Sequence, residues 1–446
     1  MDSKLSKKNI FYLGIMLFGI FFGAGNVIFP ISMGQAAGNH IIPAVIGFLI
    51  TGVGLPILGI VAFGLTNSKG MFDLASNAGK PFAYFFSTIL SLLIGPIIVI
   101  PRLAATAYQV GVAPLLKQSQ QTMGLFIFAV IFFLLVWYLT RTPGNLLDYI
   151  GKFLTPIFLV LLAMIIIMAL VKPMGDITTP AATGKYIGTP FSSGFIEGYN
   201  TLDGAGSIAI AIVVIEAIKK LGVKSPNKIA SSVIKSGLIS AFLMGLVYTL
   251  LALVGTMSLG KFSASENGGI GLVQIATYYF GSFGNLLLAV LIFVACLKTN
   301  VAMISAFGDT MTDMLPKKIS YSKITVVAIL VSLVITNLGL TQMINFAMPF
   351  LMFIYPLSIV LILLGIISPL IGKPKVVYQV TLLFALIPAI FSGLNATGLA
   401  DKSKLVGSLL HLDTYLPFSQ IGLSWVVPTL IGFILGMIIH TFKKRS

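Results

Sequence analysis

Apolar residues run along this chain in stretches of about twenty or more, without the period-two alternation of a barrel strand, and short polar connections separate them. A run of that length crosses a ~30 Å hydrocarbon core as a helix, the one open-chain structure that satisfies its own backbone polar groups there. The pattern predicts twelve spans, at roughly 10–38, 41–66, 80–112, 122–140, 149–171, 190–219, 228–256, 284–312, 323–345, 347–371, 376–399 and 417–442. The longest polar connections, near roughly 172–189 and 257–270, are too short to fold alone, so residues 1–446 read as one transmembrane domain. Residues 270–280 read either as a short outer helix or as plain loop. The apolar run after Met1–Lys8 outlasts the ~7–15 residues of a signal-peptide core and has no small-x-small cleavage site, so the first span is expected to stay in the mature protein.

Composition removes whole classes of function. With 57% hydrophobic and only 9% charged residues, the chain cannot be a soluble globular protein, in which roughly 25% are charged. A net charge of +16 would suggest nucleic acid in a soluble protein, but its distribution between loops has a different reading. Twenty Lys and Arg fall on the side of the N-terminus and six on the other, which predicts cytoplasmic N- and C-termini and no nucleic-acid partner. Two basic residues remain, Arg102 and Lys298, both inside spans. Cys296 is the only cysteine, and His40, His411 and His440 fall near span ends, which leaves no disulfide framework, thiolate cluster or intramembrane histidine site. An enzyme would need convergent chemical groups at the midplane, where the chain offers Asp203 with Lys298 as a possible companion.

Two spans share an unusual motif. Span one contains Phe22-Gly23-Ala24-Gly25-Asn26 at mid-membrane, and span six contains Thr201-Leu202-Asp203-Gly204-Ala205-Gly206. Five intervening helices make the two spans opposite in direction. Glycine costs a helix ~1 kcal/mol relative to alanine, so paired glycines beside Asn26 or Asp203 predict an unwound segment in each. Unwound backbone at this depth survives only where it lines a protein cavity, and paired breaks in inverted halves mark a transporter's binding site. The alternative is that the glycines only let helices pack closely, as in Gly19-x-x-x-Gly23. Inverted broken helices also argue against an ion channel.

Further motifs resemble one family closely. Gly23-Ala24-Gly25-Asn26-Val27-Ile28-Phe29-Pro30, Gly34-Gln35-Ala36-Ala37-Gly38, Gly47 to Thr51, Pro101-Arg102, Gly194 to Tyr199, Ala295-Cys296-Leu297, Thr336 to Gln342 and Ile354-Tyr355-Pro356 occur in order along nearly the whole chain. In these the chain resembles the bacterial branched-chain amino acid:cation symporters, the carrier II transporters for leucine, isoleucine and valine. The resemblance implies an all-α LeuT-type fold with a five-plus-five inverted repeat (10–171 and 190–371) followed by two additional helices (376–442). It also implies import by sodium symport across the bacterial cytoplasmic membrane. The partners expected are a small amino acid and the lipid bilayer, with no cofactor and no obligate protein partner.

A zwitterionic amino acid needs donors for its carboxylate, acceptors for its ammonium and a dry pocket for its side chain. The freed amides of Gly23, Ala24 and Gly25, beside Asn26, are the expected donors, at the positive end of the second half-helix. The break over Asn200, Thr201, Leu202 and Asp203, with Gly204, is expected to supply the acceptors. By similarity to the fold, one sodium would join the carbonyls of Gly19 and Phe22 to positions Ala295, 298 and 299. Here the sequence departs from the family, with Lys298-Thr299 where two adjacent threonines are usual. An ammonium has donors only, so Lys298 would replace a sodium ion rather than bind it, which opens proton-coupled or uncoupled transport as the alternative. Lys298 is expected either to snorkel to water or to pair with Asp203, Glu216 or Asp309. Arg102 reads as a gate of the outer vestibule or as a structural partner of a carbonyl cluster, with Glu197 as its candidate counter-charge.

Overall fold

The computed structural model describes residues 5–141, 146–314, 319–399 and 403–445. Lys4, Lys317, Lys318 and Lys402 of the charge count lie outside these residues. Among the described residues all regular structure is helical. The first span is broken into α1 (Lys7–Phe21) and α2 (Ile28–Ala37), joined by a single 3-10 turn over Ala24–Asn26. Next come α3 (Ile41–Leu49) and α4 (Leu55–Thr66) on either side of a π-helical segment, then short α5 (Met71–Ser76). The third span is α6 (Lys80–Leu92) and α7 (Val99–Gly111), kinked at Gly95-Pro96, and α8 (Gln121–Arg141) and α9 (Leu146–Val171) follow. A second broken span consists of α10 (Pro190–Glu197) and α11 (Asp203–Lys220). The rest is α12 (Pro226–Ser258), α13 (Gly268–Met314), α14 (Tyr321–Thr336), α15 (Leu340–Ile371), α16 (Lys375–Ala396), α17 (Lys404–Asp413) and α18 (Val426–Arg445). Among the described residues, eight helical stretches are long and apolar enough to cross a membrane, so the protein is a multi-pass membrane protein.

Two boundaries differ from those read off hydropathy, and one open reading is decided. The break expected near 345–347 falls at Asn337–Gly339, where Gly339 takes φ +77° and turns the chain. The polar residues Thr336, Asn337, Thr341 and Gln342 and the glycine mark that turn in the sequence. Residues 270–280 are helical, in line with the first of their two readings, and Gly281, at φ 60° and ψ −154°, kinks α13 between them and the following span. The last helix starts at Val426 rather than near 417, and α17 precedes it.

Backbone contacts at glycine position the two broken spans. A Cβ on Gly47 would lie 2.0 Å from the Phe191 carbonyl oxygen, and one on Gly194 would lie 1.9 Å from that of Ala44. The backbones of α3 and α10 therefore touch, as small residues permit in membranes. Likewise a Cβ on Gly34 would meet the Ala252 carbonyl at 2.0 Å, which presses α2 onto α12. Hydrogen bonds add to these contacts: Thr51 Oγ1 donates to the Phe195 carbonyl at 2.6 Å, and Gln35 Nε2 donates to Ser258 Oγ at 2.9 Å. In the third span, Pro96 and Pro101 lack the amide that a helix needs, and the chain kinks at Gly95-Pro96. Side chains of neighbouring helices donate to carbonyls beside these prolines. Ser332 donates to the Pro96 carbonyl at 3.3 Å, Thr336 to that of Pro101 at 3.3 Å, and Asn300 to that of Ile100 at 3.2 Å.

Candidate functional site: a cavity between two broken helices

The two breaks have different origins. In the first span, Gly23 is extended at φ −103° and ψ 158°, so the helix stops where the glycines predict. In the second, the helix breaks over Gly198–Leu202, before the glycines, because Leu202 takes the left-handed conformation at φ 60°. That conformation costs a non-glycine residue roughly 1–2 kcal/mol and is imposed by the surrounding packing. Gly204 and Gly206 lie within the first turn of α11. Asp203 starts α11, and its amide donates to Thr201 Oγ1 at 3.2 Å.

Both breaks face one cavity of about 110 Å³. Its polar part is formed by Gly23, Gly25, Asn26, Arg102, Thr201, Asp203 and Thr299, and its apolar part includes Ile20, Phe21, Ile94, Val99, Leu103, Leu202, Ile210 and Met303. Asn26 Nδ2 donates to Asp203 Oδ2 at 2.7 Å and to the Phe21 carbonyl at 3.1 Å, and this joins the breaks directly. Arg102, 3% exposed, donates from Nη1 to the Asn200 carbonyl at 2.6 Å and stacks 5.0 Å from the Phe29 ring centre. The charge of Asp203 acts on Arg102, Tyr248 and Tyr355, so the carboxylate sits among one cation and two phenols.

The expected site residues divide into two groups. Gly23, Gly25, Asn26, Thr201, Leu202, Asp203 and Thr299 come together around the cavity. Gly204 does not line it, since a Cβ there would lie 2.7 Å from Leu55 Cδ2 and 3.1 Å from Tyr355, so at this residue close packing is the correct reading. Gly206, which the sequence reading did not select, does line the cavity. The amide of Gly23 is taken by the Phe21 carbonyl at 3.0 Å, and that of Asn26 by the Gly23 carbonyl at 3.0 Å. The Asn200 carbonyl is occupied by Arg102, which leaves the Asp203 carboxylate as the prominent acceptor in the break.

The charge pairings expected from the sequence are corrected. Lys298 is half-buried, does not line the cavity, and forms no hydrogen bond or ion pair among the described residues with Asp203, Glu216 or Asp309. Glu216 and Asp309 are exposed. A sequence gives the depth of a residue along its helix and leaves its facing open. Arg102 binds a carbonyl rather than Glu197, which instead faces the Asn200 side chain and the charge of Lys185. Gly19 is exposed with no atom within 4 Å of a Cβ built there, and Phe22 is buried among Phe18 and Tyr248. The Ala295 carbonyl accepts from Thr299 Oγ1 at 2.9 Å.

Two further cavities flank this one. Toward Lys69, a cavity of about 340 Å³ shares Ile94, Ile210 and Met303 with the central cavity, so the two meet at those side chains. On the opposite side, a cavity of about 250 Å³ is lined by Phe29, Glu197, Glu266 and Asn345. The Arg102–Phe29 stack separates it from the centre, Phe29 facing one cavity and Arg102 the other.

Known proteins share these features. A family model described as branched-chain amino acid transport protein matches residues 6–443. The chain is 40% identical over 447 residues to the branched-chain amino acid permease BrnQ of Lactobacillus delbrueckii subsp. lactis, with 100% of both chains covered. It is 39% identical to BrnQ of Bacillus subtilis (strain 168), again over 100% of both. To the branched-chain amino acid transport system 2 carrier protein of Pseudomonas aeruginosa it is 37% identical, over 96% of this chain and 94% of that one. Among solved structures, the inward-facing conformation of Mhp1 aligns with a TM-score of 0.61 at 13% identity, covering 97% of this chain and 91% of that one. The closed conformation of Mhp1 with bromovinylhydantoin bound aligns with a TM-score of 0.57 at 15% identity, over 97% and 92%. At such identity the likeness is one of fold, and the fold is LeuT-like.

Proposed function

This chain belongs to the branched-chain amino acid transport protein family, and from that premise we propose that it imports leucine, isoleucine and valine by sodium symport through alternating access. It is a transporter rather than an enzyme, as its relatives' names indicate. The observation that carries the finer reading is the central cavity, polar at the two breaks and aliphatic elsewhere. The substrate ammonium would meet the Asp203 carboxylate, its carboxylate would meet the first break beside Gly25, and its branched side chain would lie among Ile94, Val99, Leu103 and Ile210. The cavity's junction with the space near Lys69 and its separation from the space near Glu197 support an inward-facing state.

The finer architecture belongs to the same proposal. It comprises twelve spans, five-helix repeats at 10–171 and 190–371, two additional helices at 376–442, and both termini in the cytoplasm of a bacterial cell. For coupling, the position of Lys298 outside the cavity favours a sodium ion over a lysine substitute, with the Thr299 hydroxyl and the Ala295 carbonyl as oxygen ligands brought into play when α1 closes. Uptake of labelled leucine into proteoliposomes, with sodium and proton gradients imposed separately, tests the reading. Accumulation driven by an inward sodium gradient is expected. Saturable uptake driven only by a proton gradient would overturn the sodium part, and no uptake of any branched-chain amino acid would overturn the whole.

A further inference from the structure

A fourth cavity, of about 290 Å³, lies away from the central path. It is enclosed by α10, α15, α16 and the segment from Asp413 to Gly422, on the side that the basic-residue bias assigns to the outside. Its walls carry two opposite charges, Asp413 and Lys185. Asp413 is 7% exposed and its Oδ1 has no hydrogen-bond partner, although a buried carboxylate oxygen left without a donor costs stability. Lys185 is exposed, its charge acts on Glu197, and it makes no ion pair with Asp413, so among the described residues the two charges line one cavity without pairing with each other. Asn395 and Gln420 also line it, together with the apolar Ile196, Met348 and Met352.

We propose that this cavity is a second, outer binding site for a zwitterionic amino acid, whose ammonium pairs with Asp413 and whose carboxylate pairs with Lys185. The choice of an aliphatic amino acid as occupant rests on the transport reading above. A simple cation would satisfy Asp413 and be repelled by Lys185, and a simple anion the reverse; a zwitterion satisfies both. Burial raises the Asp413 carboxyl above its ordinary range, with a hydrogen bond from Ser424 opposing that shift, as expected for a carboxylate that lacks a cationic partner. Ile196 belongs to α10, the outer half of a broken span, and Met348 and Met352 belong to α15. An occupant would therefore brace α10 against α15 and bias the equilibrium between conformations by its differential affinity for them.

Equilibrium binding of radiolabelled L-leucine to the purified protein in nanodiscs tests this. Wild type is expected to bind two equivalents per chain, and Asp413→Asn one, with the affinity of the lost site reduced at least tenfold. Lys185→Met, at an exposed position that leaves folding intact, is expected to act in the same way, and Asp203→Asn is expected to remove only the central equivalent. One equivalent in wild type, abolished by Asp203→Asn and unaffected by Asp413→Asn or Lys185→Met, overturns the outer site and leaves the transport reading standing. Two equivalents that both survive Asp203→Asn would count against the central reading alone, provided that Asp413→Asn removes one of them. Absence of leucine binding by wild type overturns both, and stabilisation by sodium chloride alone that depends on Asp413 overturns the zwitterion in favour of a cation.

Discussion

Asn26 and Asp203 are 177 residues apart, and the Asn26 side-chain amide donates to the Asp203 carboxylate at 2.7 Å across the gap between two interrupted helices. Each residue alone would be an expensive polar group in the membrane interior. Together they tie the first break to the second, so a shift of α1 and α2 relative to α10 and α11 is felt at the carboxylate that faces the central cavity. The same amide also donates to the Phe21 carbonyl, which caps the end of α1.

Asp203→Asn should fold and yet lose leucine binding. It removes the charge that faces the ammonium, while its amide oxygen can still accept from Asn26, at a cost of about 1–3 kcal/mol for the lost charge-assisted contact, or roughly ten- to a hundredfold in affinity. Asn26→Ala should weaken binding less, because the carboxylate remains. Titration calorimetry on the detergent-purified variants checks both, and wild-type affinity in Asp203→Asn would place the ammonium elsewhere.

The break in the first span was legible because glycine itself is the cause: Gly23 and Gly25 stand where the helix stops. The break in the second span begins two residues before the stretch Asn200–Asp203 expected from the sequence and ends ahead of the glycines. Its cause is Leu202, a residue with no local preference for the left-handed region, held there by tertiary packing that a sequence does not display. Arg102 illustrates another limit. Its partner is a main-chain carbonyl, as one of its two readings has it, but that the carbonyl belongs to Asn200 leaves no mark in residue type. Lys298 was read by depth along its helix, and its exclusion from the cavity depends on which way α13 faces.

Arg102 closes the side of the central cavity that faces Glu197. Arg102→Gln loses the stack on Phe29 and the charge-assisted bond to Asn200, and should open that layer to water. The test is reaction of a Val99→Cys reporter, which lines the cavity, with a membrane-impermeant thiol reagent applied from outside. The natural Cys296 is buried and gives a low background. The rate should rise at least tenfold in Arg102→Gln, and an unchanged rate would show that the barrier lies elsewhere.

Glycine substitutions should separate packing from binding. Gly194→Ala forces α10 off α3, where a Cβ has 1.9 Å to the Ala44 carbonyl, and should destabilise by about 1–3 kcal/mol, seen as a lower melting temperature in detergent. Gly204→Ala meets the flexible end of Leu55 at 2.7 Å and should cost less. Gly206→Ala has nothing nearer than 4.0 Å and points into the cavity, so it should keep or raise thermal stability while weakening leucine binding. Equal melting losses for Gly194→Ala and Gly206→Ala would contradict this assignment of roles.

Ion coupling offers the sharpest contrast between what the sequence suggests and what the geometry supports. If the Lys298 ammonium stood in for sodium, Lys298→Thr would restore a hydroxyl pair with Thr299 and create or increase a sodium requirement. With Lys298 outside the cavity and Thr299 lining it, the opposite pattern is expected. Lys298→Thr should leave the sodium dependence of leucine uptake within about twofold of wild type, because no ligand is gained where the ion sits. Thr299→Val keeps the shape and removes the hydroxyl oxygen, and should raise the sodium concentration for half-maximal uptake roughly tenfold, about 1.4 kcal/mol. Proteoliposome uptake measured against external sodium for the three proteins decides between them. A sodium requirement that appears only in Lys298→Thr would restore the lysine as the ion's substitute, and a Thr299→Val curve that overlays wild type would remove Thr299 from the ion's ligands.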